Sequence, residues 1–143
     1  MTVISAKGAT IARGDGASPE AYTVITQPVT INPVGAARTL RDITNLASTS
    51  REWKKNIKDG QEIECRFQYD PSDAAQIGLK TDRDSEDARS FRVTLKNNAG
   101  TNLETITFDA QVTKWIVTDI LVDGDLMLDV TLKPTGDLTH AVV

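Results

Sequence analysis

Residues 61–79 constrain the fold more than any other stretch of the chain. Ile63, Cys65, Phe67 and Tyr69 alternate with Glu62, Glu64, Arg66 and Gln68, the period of two that sends successive side chains to opposite faces of a strand. One face is therefore apolar and the other charged. At Asp70-Pro71-Ser72-Asp73 the period breaks: Asp70 suits a helix N-cap, Pro71 the first helical position, and Asp73 the positive end of the helix dipole. The spacing predicts a short helix over 71–79 whose Ala74, Ala75, Ile77 and Leu79 lie against the apolar face of the strand before it. The chain thus reads as a sheet with one covered face, and its function turns on what the uncovered, charged face meets.

The remaining segments extend that sheet. Phe91, Val93 and Leu95 alternate into Asn97-Asn98-Ala99-Gly100, a hairpin turn by composition, and the next strand presents Ile106, Phe108, Ala110 and Val112 on one face. Ile116 to Val122 is apolar without clean alternation, Asp123-Gly124-Asp125 turns the chain, and Leu126, Leu128, Val130 and Leu132 form the cleanest apolar row. At roughly 1.5–3 kcal/mol for each fully buried aliphatic, such rows fix which face goes inward. Pro134-Thr135-Gly136 is expected to end the last strand and leave a short tail over 137–143.

Earlier in the chain the signals are weaker. Residues 1–20 read as an arm outside the core, punctuated by Lys7-Gly8, Arg13-Gly14-Asp15-Gly16 and Ser18-Pro19. Arg13-Gly14-Asp15 matches the triplet that integrins bind, a three-residue coincidence in an acidic chain. Tyr22–Thr26 is rich in β-formers, and Pro28 and Pro33 mark an edge or a bend around Val29-Thr30-Ile31. Residues 38–48 space Leu40, Ile43 and Leu46 like a helix while their threonines prefer strand; strand is the reading adopted. Thr49-Ser50-Arg51-Glu52 has the capping-box form, Trp53 and Ile57 sit four apart, and Gly60 suits a left-handed cap, which predicts a short helix or helical loop over about 50–58 with Lys54, Lys55 and Lys58 on its other side.

With 143 residues the chain fits one domain with an ordinary core. Cys65 is the only cysteine, so no intrachain disulfide forms, and its place in the apolar phase makes it a small buried hydrophobe. A net charge of -4 argues against general binding to nucleic acid or anionic membrane. Neither a secretory leader nor a run of ~18 apolar residues is visible, which leads one to expect a protein made in a cytoplasm.

The search for catalytic chemistry is nearly empty. His140 is the sole histidine and lies near the end of the chain, so a Ser-His-Asp or Cys-His arrangement has little to draw on, and zinc held by a His/Cys set fails on count. Phosphate-cradling and dinucleotide glycine motifs are missing. In 82–93 the Asp-x-Asp spacing evokes a calcium loop, but Asp87 stands where a glycine is required and Val93 where a glutamate is. Glu62 and Glu64 share a strand face as exposed strand residues ordinarily do. The sequence describes a structural or binding protein with no cofactor and no metal.

Several segments together carry a resemblance: 7–25 (KGATIARGDGASPEAYTVI), 42–48 (DITNLAS), 51–53 (REW), 58–60 (KDG), 67–71 (FQYDP), 91–95 (FRVTL) and 130–133 (VTLK) with Gly136. In this order, over nearly the whole chain, they resemble the major tail tube protein of long-tailed bacteriophages and, more loosely, the tube proteins of contractile tails. The resemblance implies a mainly β (α+β) fold, a β-sandwich or tail-tube barrel with one flanking α-helix and a short helical loop. It divides the chain into an N-terminal assembly arm (1–20), a tube domain (21–136) and a C-terminal tail (137–143), whose exit Lys133-Pro134 alters.

It further implies hexameric rings stacked into a hollow tube in the virion tail, assembled in the host cytoplasm, through which the genome passes without specific binding. Itself, a tape measure protein, a tail terminator and distal tail proteins are the implied partners. Paired sheet edges would turn polar faces toward a channel, for which Glu62, Glu64, Asp109 and Asp129 are the lumen candidates; Arg66, Arg92, Lys96 and Lys133 share their phase. For ring stacking the resemblance points to the arm and the loop over roughly 38–60, with Arg13, Asp15, Arg51, Glu52 and Trp53 as contact candidates. A reading of another class is a monomeric capsid-decorating or carbohydrate-binding β-sandwich.

Overall fold

A computed structural model of the protein describes residues 3–17, 19–32, 34–97 and 99–142; Ser18, Pro33 and Asn98, where sequence signals for breaks and turns fall, lie outside the described residues. A seven-stranded antiparallel sheet in the order β2-β1-β9-β10-β11-β8-β3 makes up the body. Its strands are β1 (Thr10–Gly14), β2 (Tyr22–Val24), β3 (Pro28–Asn32), β8 (Ile63–Gln68), β9 (Arg89–Lys96), β10 (Asn102–Thr118) and β11 (Met127–Val142). Between β3 and β8 run two short ribbons, β4 (Ala36–Ala37) with β7 (Asp59–Gly60), and β5 (Leu40–Asp42) with β6 (Trp53–Lys55). Among the described residues there is one helix, α1, spanning Ala74–Asp84.

The outer strands of the sheet, β2 and β3, follow one another in the chain through Ile25–Gln27. A link of three residues reaches only ~10–14 Å, so the sheet must curl until its two margins meet. The link is stitched to both: the Ile25 amide donates to the Ile11 carbonyl at 2.9 Å and the Gln68 amide to the Gln27 carbonyl at 3.0 Å. Gln27 adopts φ 60°, a left-handed conformation that costs a non-glycine residue energy and turns the chain at this seam. The start of α1 clamps it. Thr26 donates its amide and hydroxyl to Asp73 Oδ2 at 3.1 and 2.7 Å, and the buried Gln76 side chain donates to the carbonyls of Thr26 (3.1 Å) and Gln68 (3.0 Å) while accepting from the Asp70 amide (2.9 Å).

Inside the curled sheet lies the core predicted from alternation: Ile63, Cys65 and Phe67 from β8, Phe91 and Val93 from β9, Ile106 to Val112 at every second position of β10, and Leu128, Val130 and Leu132 from β11. Phe67 pairs across the ladder with Leu128, and Phe91 stacks near Phe108 with centroids 6.1 Å apart. Burial pushes the Cys65 thiol up to about 12, so no thiolate is present at neutral pH. We predict that native protein incubated with iodoacetamide at pH 8 stays unmodified and is alkylated at this position only once unfolded, as read by mass spectrometry.

Five sequence expectations are corrected. The helix begins at Asp73, whose Oδ1 accepts from the Ala75 amide at 3.1 Å, rather than at Asp70, which folds a turn by accepting from the amide and hydroxyl of Ser72. It also runs on to Asp84 and rests chiefly on β10, burying Ala75, Gln76, Leu79 and Asp82, while Ala74 and Ile77 face outward. Residues 10–14, read as arm, are an inner strand of the sheet with Ile11 fully buried between β2 and β9.

The helix or helical loop over 50–58 is absent: 53–55 is a strand, the capping-box residue Glu52 instead accepts from Ser48 Oγ at 2.8 Å across a loop, and Gly60 is a strand residue packed where a Cβ would come within 2.8 Å of Pro134. Finally, β11 does not stop at Pro134-Thr135-Gly136. Beyond Leu132 it has no β8 partner, so proline is tolerated, and a bulge with Gly136 at φ 76° between the Thr107 and Asp109 pairings carries the strand to Val142. Residues 139–142 are therefore paired with β10, and His140 Nδ1 lies 2.7 Å from Glu104 Oε1.

Candidate assembly surfaces

Strand parity decides what the outer face of the sheet carries. Because 63, 65 and 67 point inward, Glu64, Arg66 and Gln68 point outward, and the registers Glu64↔Thr131 and Arg66↔Asp129 place β11 residues beside them. Asp109, between the buried Phe108 and Ala110, faces the same way opposite Thr135. The structure thus brings the predicted lumen acids Glu64, Asp109 and Asp129 to one sheet face, with Glu62 exposed just before β8; Asp109 stands about six ladder positions, ~20 Å, from Asp129.

The bases of that face are largely engaged inside the chain. Arg66 is ion-paired with Asp119 and reaches Asp129 at 3.9 Å, Lys133 Nζ donates to the Gly60 carbonyl at 3.0 Å and lies 3.4 Å from Asp59, and the Arg92 guanidinium sits 4.1 Å from the centre of the Tyr22 ring. A shallow depression of about 220 Å³ between β3, β8 and β11 is walled by Thr30, Asn32, Glu64, Arg66, Lys114 and Asp129. Acids and bases alternate around it, which presents a nearly neutral surface. Among the described residues no group of three or more His, Cys, Asp or Glu side chains could hold a metal ion, and no helix is long and apolar enough to cross a membrane.

A second surface is the projecting ribbon over 38–58. Its loop is tied by an Arg51–Asp42 ion pair and by the Glu52 amide donating to Thr44 Oγ1 at 2.8 Å. Hydrogen bonds from the Thr44 hydroxyl and amide hold the Asp42 carboxylate below its usual pKa range. On this frame Trp53 is 54 % exposed and Leu46 and Ile57 are almost wholly so. Arg51, Glu52 and Trp53 are accordingly brought together on one exposed ribbon. The Trp53 ring does not plug the subunit's own core, which leaves it available as an anchor.

Arg13 and Asp15 are placed elsewhere. Arg13 turns in beneath α1 and grips the buried Asp82 carboxylate with two bonds, Nε–Oδ2 at 2.6 Å and Nη2–Oδ1 at 2.9 Å, a contact that raises its pKa. Arg89 adds Nε–Oδ1 at 3.2 Å from β9. Gly78 is required for this: a Cβ there would stand 2.8 Å from the Arg13 guanidinium. Arg13 is thus spent on holding α1 to the sheet, whereas Asp15 is exposed and folds the 15–21 turn, accepting from the amides of Ala17 and Ala21, which lower its pKa. Sequence reasoning missed a further surface, the 119–126 loop between β10 and β11, where Ile120, Leu121 and Val122 are 74, 71 and 102 % exposed. The signal available was the loss of alternation after Ile116.

No family model and no curated protein matches the sequence. Solved structures do match it, over nearly its full length. The tube-terminating cap of the anti-feeding prophage is 12% identical and superposes with a TM-score of 0.76, covering 100% of this chain and 93% of that one. A chain of the tail of the empty gene transfer agent particle is 13% identical with a TM-score of 0.72, covering 97% and 99%. The tail tube of SPP1 is 14% identical with a TM-score of 0.72, covering 99% of this chain and 80% of that one. The chain thus shares the fold of these tail and tube components, here built as a curled sheet closed by the β2–β3 link with one flanking helix and a projecting ribbon.

Proposed function

We propose that the protein is a structural subunit that self-assembles into hexameric rings stacked as a phage-type tail tube, a conduit for the genome during ejection. The observation that carries this reading is the match of the entire chain, in both directions, to components of tail and injection tubes. The outer sheet face supports it. A duplex carries one charge per ~1.7 Å, and a strongly basic wall would hold it by counterion release; here Arg66 and Lys133 are neutralised by Asp119, Asp129 and Asp59 within the subunit. Glu62, Glu64, Asp109 and Asp129 would then face a channel in which DNA slides without specific binding.

In this reading the chain is not an enzyme, and its partners are further copies of itself, a terminator that caps the tube, a tape measure protein inside it and distal tail proteins below it. It resides in the virion tail after assembly in the host cytoplasm. The 38–58 ribbon and the first residues of the chain serve ring stacking. Negative-stain microscopy of the purified protein tests the proposal: rings or hollow filaments are expected without ligand, whereas lone monomers at high concentration favour a decorating or sugar-binding β-sandwich. We predict that Trp53→Ala leaves a folded protein with unchanged melting temperature but reduces filament mass at least tenfold, because a half-exposed anchor contributes to contact between subunits and not to its own core. Tubes of ordinary length from that variant would count against a stacking role for the ribbon.

A further inference from the structure

The two exposed apolar features, the 119–126 loop and the 38–58 ribbon, stand at opposite ends of the molecule. Register fixes this. β11 pairs Met127 with Gln68 at one end and Leu132 with Ile63 at the other, so the β10–β11 loop adjoins the C-terminal end of β8. β3 runs from its Pro28↔Phe67 pairing to Asn32↔Glu64 and then leads into the β4–β7 ribbon, which is anchored beyond Leu132 by Gly60 against Pro134. From Met127 to Pro134 is seven residues, ~23 Å of strand, and the β5–β6 ribbon continues from the β4–β7 ribbon.

The ends are also chemically complementary. The loop carries Ile120, Leu121 and Val122 followed by Asp123 and Asp125, all exposed. It is a built tip: Asp119 at φ 60° is ion-paired with Arg66, the Leu121 amide donates to the Asp119 carbonyl at 2.9 Å, and the Gly124 amide to the Leu121 carbonyl at 3.3 Å. The ribbon carries the exposed apolar side chains Leu40, Leu46, Trp53 and Ile57. Around them stand the exposed bases Arg41, Lys54, Lys55 and Lys58.

We infer that the acid-flanked apolar tip at 120–125 of one copy docks on the basic, apolar 40–58 ribbon of a second copy, in a head-to-tail contact that joins successive rings. The occupant of each surface is the same chain, because one molecule holds both halves of the contact at opposite ends and cannot satisfy them internally. Such a heterologous contact propagates without limit when rotation does not close it, and opposite charges set which end meets which. The inference rests on the tube reading and names the surface that receives the ribbon.

The test is a charge exchange. Asp123→Lys/Asp125→Lys and, separately, Lys54→Glu/Lys55→Glu should each keep the melting temperature, since all four side chains are exposed, and each should lower tube mass at least tenfold by sedimentation and microscopy. A chain carrying all four changes restores complementarity and should regain most of the tubes. A second measurement is covalent. Leu46→Cys/Leu121→Cys should give a ladder of disulfide-linked multimers on oxidation of assembled tubes, with buried Cys65 not competing, while each single-cysteine variant stays below that ladder. If the unmodified chain forms tubes but the charge reversals assemble normally, or the double-cysteine tubes yield only monomers, the docking inference is overturned and the tube reading stands. If the unmodified chain and all variants stay monomeric, the tube reading itself is overturned, and the inference with it.

Discussion

Asp82→Ala should lower the melting temperature by about 10 °C. Asp82 is 3 % exposed and is shared by Arg13 and Arg89, which are 20 and 27 % exposed. Removing one partner of a buried pair costs about 3–5 kcal/mol, mainly because the charge left behind is poorly solvated. The partial exposure of both arginines lets water reach them, which argues for the lower end, about 3 kcal/mol. At ~2–4 °C per kcal/mol for a domain near this size, the shift is large enough to read by circular dichroism or scanning calorimetry. Asp82→Asn should recover only part of it, since an amide keeps the shape and one acceptor but not the charge. A shift under about 3 °C for Asp82→Ala would mean that the arginines reorient into solvent and that the other contacts of α1, Leu79, Ala75 and Gln76 among them, suffice to hold it.

A comparable loss is expected from Phe67→Ala. Phe67 has no exposed surface, pairs opposite Leu128, and sits where β8 meets both β3 and β11. Truncating a buried phenylalanine costs about 3–5 kcal/mol, the transfer of its ring plus the cavity left behind. Stabilities of natural domains are only ~5–15 kcal/mol, so the variant approaches the threshold of folding. Urea titration should show the midpoint falling with an unchanged slope, the signature of lost stability rather than a changed denatured state. A change of less than about 1 kcal/mol would imply that β3 and α1 collapse into the gap.

These two positions differ in how visible they were. Phe67 lies in an unbroken alternation, and alternation reports burial because one side of a strand must face the core. Asp82 lies in the run Thr81-Asp82-Arg83-Asp84-Ser85-Glu86-Asp87, which reads as solvated loop; its partner Arg13 is 69 residues away, and no local pattern connects them. For the same reason Thr10–Gly14 was read as part of an arm. Its alanine and glycine are poor strand formers, and it becomes an inner strand because β9, about 80 positions later, supplies the partner.

At the ribbon the sequence misled through real chemistry. Ser48 and Thr44, four and eight residues before Glu52, do bond to it there, but across a loop in front of a strand, because isolated capping groups serve turns as readily as helices. The outward position of Glu64, Asp109 and Asp129 was legible from parity alone. Their distance from one another, and the pairing of Arg66 with Asp119, depend on registers that parity does not determine.

The seam at Ile25–Gln27 bears on when a newly made chain becomes competent. Its margins belong to strands whose neighbours arrive late: β1 waits for β9, and β8 gains its inner neighbour only with β11, residues 127–142. Pairings so distant in sequence form slowly and only after long loops have closed. A polypeptide still emerging from the ribosome, or one cut short before residue 127, has neither a finished wall nor a 119–126 tip backed by its two strands, and so, in the proposed tube, would have nothing to offer a growing end. In such a tube the topology itself would admit finished molecules and turn fragments away.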